Sequence, residues 1–282
     1  MQAKDVPVHL KVDTGMRRFG AMPEHATELA QVIDGLPELT LAGMMTHLAS
    51  ADAPDATATT AQVAAFDSAV AAVREAGIEV PVQHVANSAA TLRFPHFHRD
   101  MVRIGIAMYG LLPNTSMSLL PGMRPAMTVF SRIGRLVPLE PGDAVSYGGT
   151  YRVEANERGA LVPIGYGDGY RRGLSSRGWM AIGGERAEIL GRVCMDQVVV
   201  RAPADGSSNV SGGDLVTVVG DGTAGTAGAP TLDELAELLD TISYEMATGI
   251  TSRVPRLYTR DGNVVAIDDL HGYRELAPAP NS

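Results

Sequence analysis

Apolar, β-branched runs recur at near-regular intervals through the first part of the chain: "VPVHLKVD" (6–13), "LAGMMTHL" (41–48), "VPVQHVAN" (80–87) and "MVRIGIAMYGL" (101–111). Each reads as a strand. Between the first three, apolar residues fall at helical spacing, first Leu29, Val32, Ile33 and Leu36, then Val63, Phe66, Val70 and Val73. Strands alternating with helices describe βαβ units and a parallel sheet, expected over residues 1–120. The polar residues stand at or just beyond the C-terminal ends of these strands: Asp13 and Arg18, then His47, then His84 with Asn87 and Ser88, then Arg103. Parallel α/β folds bind ligands along that edge.

Beyond residue 120 the pattern shortens. "MTVFSRIGRLVPL", "DAVSYGGTYRV", "GALVPIGYGDGY", "RAEILGRV", "DQVVVRAP" and "DLVTVVG" are short strands punctuated by Gly, Pro and Asp, predicting a mostly antiparallel domain over 121–282. One helix is expected at 231–240 with Thr231 as its N-cap. The Gly-, Ser-, Thr- and Ala-rich stretches 205–213 and 220–230 read as loops. Four parallel strands with three crossovers amount to half of an eight-stranded barrel, with two open edges and an uncovered face.

Composition narrows the function classes. The 282 residues are 45% apolar and carry a net charge of −9, with lysine only at positions 4 and 11. No basic block is present to neutralise phosphates, so no nucleic-acid partner is expected. The N-terminus has no apolar signal region, and no run approaches the roughly eighteen apolar residues that span a bilayer. A cytoplasmic protein with no membrane partner is expected. One cysteine excludes an internal disulfide framework, and no metal-ligand spacing occurs.

The local chemistry leaves alternatives open. In "VSYGGTYR" (145–152) and "VPIGYGDGY" (162–170), interleaved Tyr and Gly suit either hairpin tips or a loop presenting a phenol beside closely approaching backbone. "GRVCMDQ" (191–197) is ordinary core composition when taken alone. His47 and His84 suit either core packing or a site.

The ordered runs KVDTGM (11–16), THLASAD (46–52), HVANSAA (84–90), VRIGIAMYG (102–110), SYGGTY (146–151), GYGDGY (165–170), GRVCMDQ (191–197), ISYE (242–245) and SRVPRLY (252–258) resemble, together, the motifs of alanine racemase. The resemblance implies a pyridoxal 5'-phosphate enzyme that interconverts L- and D-alanine for peptidoglycan precursors. It also implies a homodimer with shared active sites, and a (β/α)8 TIM-type barrel, here its C-terminal half, followed by a β-domain.

Racemisation needs a base on each face of the cofactor. Tyr147 matches the family's tyrosine base, donated by the partner subunit, and His47 and Arg103 match the histidine and arginine chained to it. Arg103 also matches the group facing the pyridine nitrogen, which a guanidinium leaves unprotonated. Ser88, Tyr244, Gly105 and Ile106 match phosphate-binding positions. Arg18 and the Met195 backbone match those that hold the substrate carboxylate, with Asp196 adjoining. Lys11 matches a lysine that the family often carbamylates, which would orient Arg18. Arg17 stands where a small or polar residue, often Gly, is expected.

The family's second base is the lysine that tethers the cofactor, in a segment resembling K-A-[DN]-A-Y-G-H-G. No such segment occurs in these residues. Lys4 and Lys11 have other surroundings. The expectation is an N-terminally truncated racemase with negligible activity as it stands. The alternatives are a half-enzyme that needs a separate N-terminal half, a noncatalytic binding or assembly module, or a racemase preferring serine.

Overall fold

The computed structural model describes residues 5–204 and 210–276, so Lys4 and positions 205–209 of the expected 205–213 loop lie outside the described residues. The chain divides into two compact units, Met1–Arg124 and Pro125–Ser282. Among the described residues no helix is long and apolar enough to cross a membrane.

The first unit runs β1 (Val6–Lys11), α1 (Ala26–Asp34), β2 (Leu39–Met45), α2 (Thr57–Glu75), β3 (Val82–His84) and α3 (Ser88–Arg93). Its three strands pair in parallel in the order β1-β2-β3, as βαβ connections dictate. The core lies between this sheet and α2, whose Val63, Phe66, Val70 and Val73 are all buried with Leu10, Val12, Leu41 and Met44. Each such side chain contributes about 1.5–3 kcal/mol of burial.

The first predicted helix forms with an unexpected face inward, and the fourth predicted strand is absent. Helix α1 buries Ala26 and Ala30 and partly buries Ile33, leaving Leu29, Val32 and Leu36 exposed. The small alanines form the stripe that lies closest to the core, and the larger residues are turned away from it.

The fourth predicted strand, 101–111, is not one. Residues 101–104 form no strand, and Ile106–Tyr109 is a 3-10 turn. Its amides are spent elsewhere: Gly105 and Ala107 donate to the Ser88 hydroxyl at 2.9 and 3.5 Å instead of to a ladder partner. The other strands are also shorter than their apolar runs, β3 occupying three residues of "VPVQHVAN".

The second unit contains β4 (Val129–Arg132), β5 (Arg135–Leu139), β6 (Ala144–Val145), β7 (Tyr151–Arg152), β8 (Glu157–Val162), β9 (Trp179–Ile182), β10 (Glu185–Glu188), β11 (Val198–Arg201), β12 (Leu215–Val219), α4 (Leu232–Leu238), α5 (Ser243–Gly249), β13 (Arg256–Arg260), β14 (Asn263–Asp269) and β15 (Gly272–Glu275). All its strand pairs are antiparallel, in sheets ordered β10-β9-β12-β4, β11-β8-β5, β13-β14-β15 and β6-β7.

The single run "MTVFSRIGRLVPL" becomes two strands because the chain changes sheets at Ile133–Gly134. Ile133 N–H goes to Asp214, near β12, whereas Gly134 N–H goes to Leu161 in β8. Helix α4 starts as expected at Thr231, whose hydroxyl accepts from Glu234 N–H while the Glu234 carboxylate accepts from Thr231 N–H. That reciprocal pair is a capping box.

Candidate active site

In the first unit the site is organised around Arg103. Nη1 donates to His84 Nδ1 at 2.8 Å and to the His84 carbonyl at 3.0 Å. Nη2 donates to the carbonyls of Thr46 at 2.7 Å and Val85 at 3.2 Å. A guanidinium has five N–H donors and no acceptor, so four are used inside the protein. Nε–H remains without a partner among the described residues. The fork is locked, and a single donor is left for a ligand.

The same logic sets the tautomer of His84. Its Nδ1 must accept from Arg103, so its proton sits on Nε2 and is donated to His9 Nδ1 at 2.7 Å. Burial, then the Arg103 charge, then His9 push the His84 pKa down to about 4, so the ring stays neutral and keeps its lone pair for Arg103. The two imidazoles meet across the middle strand because residue 43 is glycine. A Cβ there would lie 2.9 Å from the His9 ring.

His47, just past β2, is half-buried. Its pKa is lowered by burial first, and then by Arg103, Arg18 and Lys11, so these four residues share one electrostatic neighbourhood. No hydrogen bond from Arg103 reaches His47. Lys11 holds its ammonium 5.1 Å from the centre of the Phe19 ring, a cation–π contact. Arg18 is exposed at the end of a turn cradled by the buried Asp13, whose carboxylate accepts from the N–H groups of Gly15, Arg17 and Arg18 at 2.9, 3.0 and 3.1 Å. These bonds, that of Arg17 foremost, lower the Asp13 pKa. Arg17 occupies that turn with φ of 54°, the left-handed region where glycine is favoured.

Ser88 is buried at the first position of α3, behind an Asn87 cap whose side chain accepts from Ala90 N–H at 3.1 Å. Because the Ser88 oxygen accepts from Gly105 and Ala107, its own proton is free to donate outward. Ile106 N–H, opening the 3-10 turn, has no intrahelical acceptor. Gly105 faces open space, since a Cβ there would meet only Ser88 Oγ at 3.9 Å. Its backbone, with φ of −107° and ψ of −99°, lies outside the α and β regions, and the absence of a side chain leaves its N–H face open.

In the second unit Tyr147 follows β6 in a 3-10 turn and is 73% exposed. It lines an open hollow of about 290 Å³ with Ser146, Leu161, Cys194 and Gln197. Ser146 has φ of 66° and ψ of −176°, a region almost confined to glycine. Its hydroxyl donates to the Arg192 carbonyl at 2.6 Å and lies 3.4 Å from Cys194 Sγ.

Met195 is exposed and its carbonyl accepts from Gly167 N–H at 2.8 Å. Asp196 is engaged by Arg253 at 2.7 Å, and the same guanidinium reaches Asp168 at 3.4 Å. Tyr244 lies half-buried in the first turn of α5. Of the two other tyrosines of "GYGDGY", Tyr166 is exposed and Tyr170 is buried with its hydroxyl unpaired, which pushes its pKa up.

His9, Ser146 and Arg253 escape sequence reasoning. The alternation of His9 with Lys11 in a largely apolar strand was the available signal for it. For Ser146 there was none, because its role rests on a dihedral angle.

Residues 1–113 match the family model for the alanine racemase N-terminal domain, and residues 126–258 that for the C-terminal domain. An alanine racemase of Thermobifida fusca is 44% identical over 255 residues, 89% of this chain and 66% of that protein. Alanine racemase 2 of Bacillus subtilis is 38% identical over 270 residues, 94% of this chain and 67% of that protein. The crystal structure of alanine racemase from Bacillus anthracis with bound L-Ala-P superposes with a TM-score of 0.84 at 35% identity, covering 93% of this chain and 67% of that one. The chain thus spans about two thirds of the length of the curated relatives it matches.

Proposed function

This chain belongs to the alanine racemase family, and from that premise we propose that its protein interconverts L- and D-alanine with pyridoxal 5'-phosphate, as a cytoplasmic homodimer supplying D-alanine for cell-wall precursors. The observation that carries this reading is the segment 103–107. There a guanidinium with one unspent N–H is followed at once by the cradle of Gly105, Ile106 and Ser88. A single donor suits an aromatic nitrogen with one lone pair, and a set of N–H and O–H donors suits a phosphate.

Bound pyridoxal phosphate supplies the electron sink that acidifies the substrate's α C–H. Arg103 would face the ring nitrogen and, keeping its proton, would moderate that sink and discourage side reactions. Ser88, Gly105, Ile106 and Tyr244 would hold the phosphate. Arg18 and the Met195 N–H hold the substrate carboxylate, and Asp196 fixes the Met195 loop through Arg253. Tyr147 removes or returns the α-proton on one face, and in the homodimer it serves the other protomer's Arg103.

His47 stays neutral among its cationic neighbours and pairs with Tyr147, while Arg103, its donors engaged elsewhere, acts on His47 through charge alone. Lys11, as a carbamate, would turn from a repelling cation into an anion that steadies Arg18. The base of the opposite face is the family's tethering lysine, for which these residues hold no matching segment.

The test is D-alanine production by the natural protein, expressed in a bacterium that requires D-alanine. Growth without the supplement is expected. Tyr147→Phe should lower kcat by about 10²–10⁴-fold, the worth of a positioned base, with cofactor affinity retained. No D-alanine production, or loss of cofactor rather than rate in Tyr147→Phe, would contradict the proposal.

A further inference from the structure

Helix α2 presents a polar residue on its buried face. Gln62 is only 6% exposed and sits beside the core residues Val63 and Phe66. A buried amide left unpaired costs about 1–3 kcal/mol, so its partners matter, and all of them belong to the loops of the candidate site. Oε1 accepts from Ala49 N–H at 2.9 Å, two residues after His47. Nε2 donates to the His47 carbonyl at 3.3 Å and to Thr14 Oγ1 at 3.4 Å.

Thr14 lies in the turn that Asp13 builds to carry Arg18, and its hydroxyl pairs with that of the fully buried Thr46 at 2.8 Å. The Thr46 carbonyl is in turn an anchor of Arg103. Residue 15 completes the fit. A Cβ at Gly15 would approach the Gln62 side chain to 3.1 Å, and φ there is 155°, so the loop closes over the amide only with glycine at that place.

We propose that Gln62 is a positioning residue: one buried amide that clamps the loops bearing Arg18 and His47 to each other and, through Thr14 and Thr46, to the anchor of Arg103. Nothing in its spacing distinguishes it from a core glutamine. What distinguishes it is that its amide is spent wholly on the two site loops. The functional weight of the clamp rests on the racemase reading, but its geometry does not, and the test is chosen accordingly.

His47 is the reporter. Its imidazole is charged with difficulty because the closed loop buries it and holds it near Arg103, Arg18 and Lys11. Releasing the loop exposes the ring and moves it away from those cations, so its titration midpoint must rise toward 6.5.

The experiment is an NMR titration of the histidine rings in the cofactor-free chain, with the His47 signal identified by its loss in His47→Asn. Gln62→Met keeps volume and apolar packing while removing all three bonds. With helical circular dichroism unchanged, the His47 midpoint is expected to rise toward that of a free imidazole, while His84, held by Arg103, stays in place. A folded Gln62→Met with an unmoved His47 midpoint overturns the proposal.

If that variant does not fold, Thr14→Val decides. It breaks the two hydroxyl links, to Gln62 and to Thr46, while leaving the Gln62 bonds to Ala49 and His47, and should move His47 in the same direction by less; an unmoved His47 there is equally fatal. Neither readout requires racemisation, so the clamp and the proposed activity fail separately.

Discussion

The two units hold their candidate site residues by opposite means. In the first, buried and half-buried polar side chains capture backbone: Asp13 takes three N–H groups, Arg103 takes three carbonyls, Ser88 takes two N–H groups, and Asn87 caps a helix while donating to the Leu48 carbonyl at 3.1 Å. In the second, backbone approaches backbone. Gly165 packs against the carbonyls of Cys194 and Met195, Gly169 packs against Gly249 with φ of 103°, and Ser146 adopts a conformation normally left to glycine. Loops tied by charged and amide side chains respond to proton and ligand. Loops tied by the absence of a Cβ respond to volume.

The largest effect expected from that contrast is at Gly165. A methyl group there would fall inside the van der Waals shells of two carbonyls that belong to backbone and cannot swing away. Gly165→Ala should therefore destabilise the second unit by more than about 3 kcal/mol, read from the denaturant midpoint of Trp179, the sole tryptophan, which lies in β9. A shift of that midpoint too small to resolve would show that the close approach is dispensable.

Acid should separate the units next. His84 and His47 are held neutral in the fold with lowered pKa values, so the unfolded chain binds more protons as pH falls. Stability of the first unit is present above about 6.5 and drains away as pH falls toward about 4. Asp13, whose pKa is depressed, adds a second loss only below its ordinary value of 3.8. The second unit has one histidine, the exposed His271. Burial raises the Asp233 carboxyl, which works in the opposite direction on acidification. The helical circular dichroism signal, dominated by α2, should thus fall at a higher pH than the Trp179 signal changes. Coincident transitions would remove this distinction.

The smallest effect concerns Arg17. A side chain in the left-handed region is disfavoured by about 1 kcal/mol, less the extra chain entropy that glycine brings to the unfolded state. Arg17→Gly should stabilise the first unit by roughly 0.5 kcal/mol while leaving the Asp13 cradle intact, measured as a rise in its thermal midpoint. Destabilisation would mean that the Arg17 charge beside Asp13 matters more than the dihedral angle.

These contrasts also explain how much could be read from residues alone. The α2 face was legible because Val63, Phe66, Val70 and Val73, the large apolar residues of the helix, repeat at helical period. On α1 the apolar residues offered two stripes, and the smaller alanines won by close approach. The segment 101–111 has strand composition, yet its amides go to a serine that sequence cannot place beside it. Arg103 was singled out through a strand that the structure does not contain, whereas Ser88 was legible as a polar residue just past a strand end. The locked fork of Arg103, the His9–His84 pair and the Ser146 dihedral were not, because each depends on a partner far along the chain or on a torsion that composition does not encode.

The most direct measurement is equilibrium dialysis of the purified chain against pyridoxal 5'-phosphate and, separately, pyridoxal. If Ser88, Gly105 and Ile106 form a phosphate cradle beside a one-donor Arg103, the phosphorylated ligand should bind at least about tenfold more tightly, the worth of one charge-assisted contact or more. Arg103→Met should weaken both ligands. Equal affinity for the two, or binding indifferent to Arg103, would contradict the account.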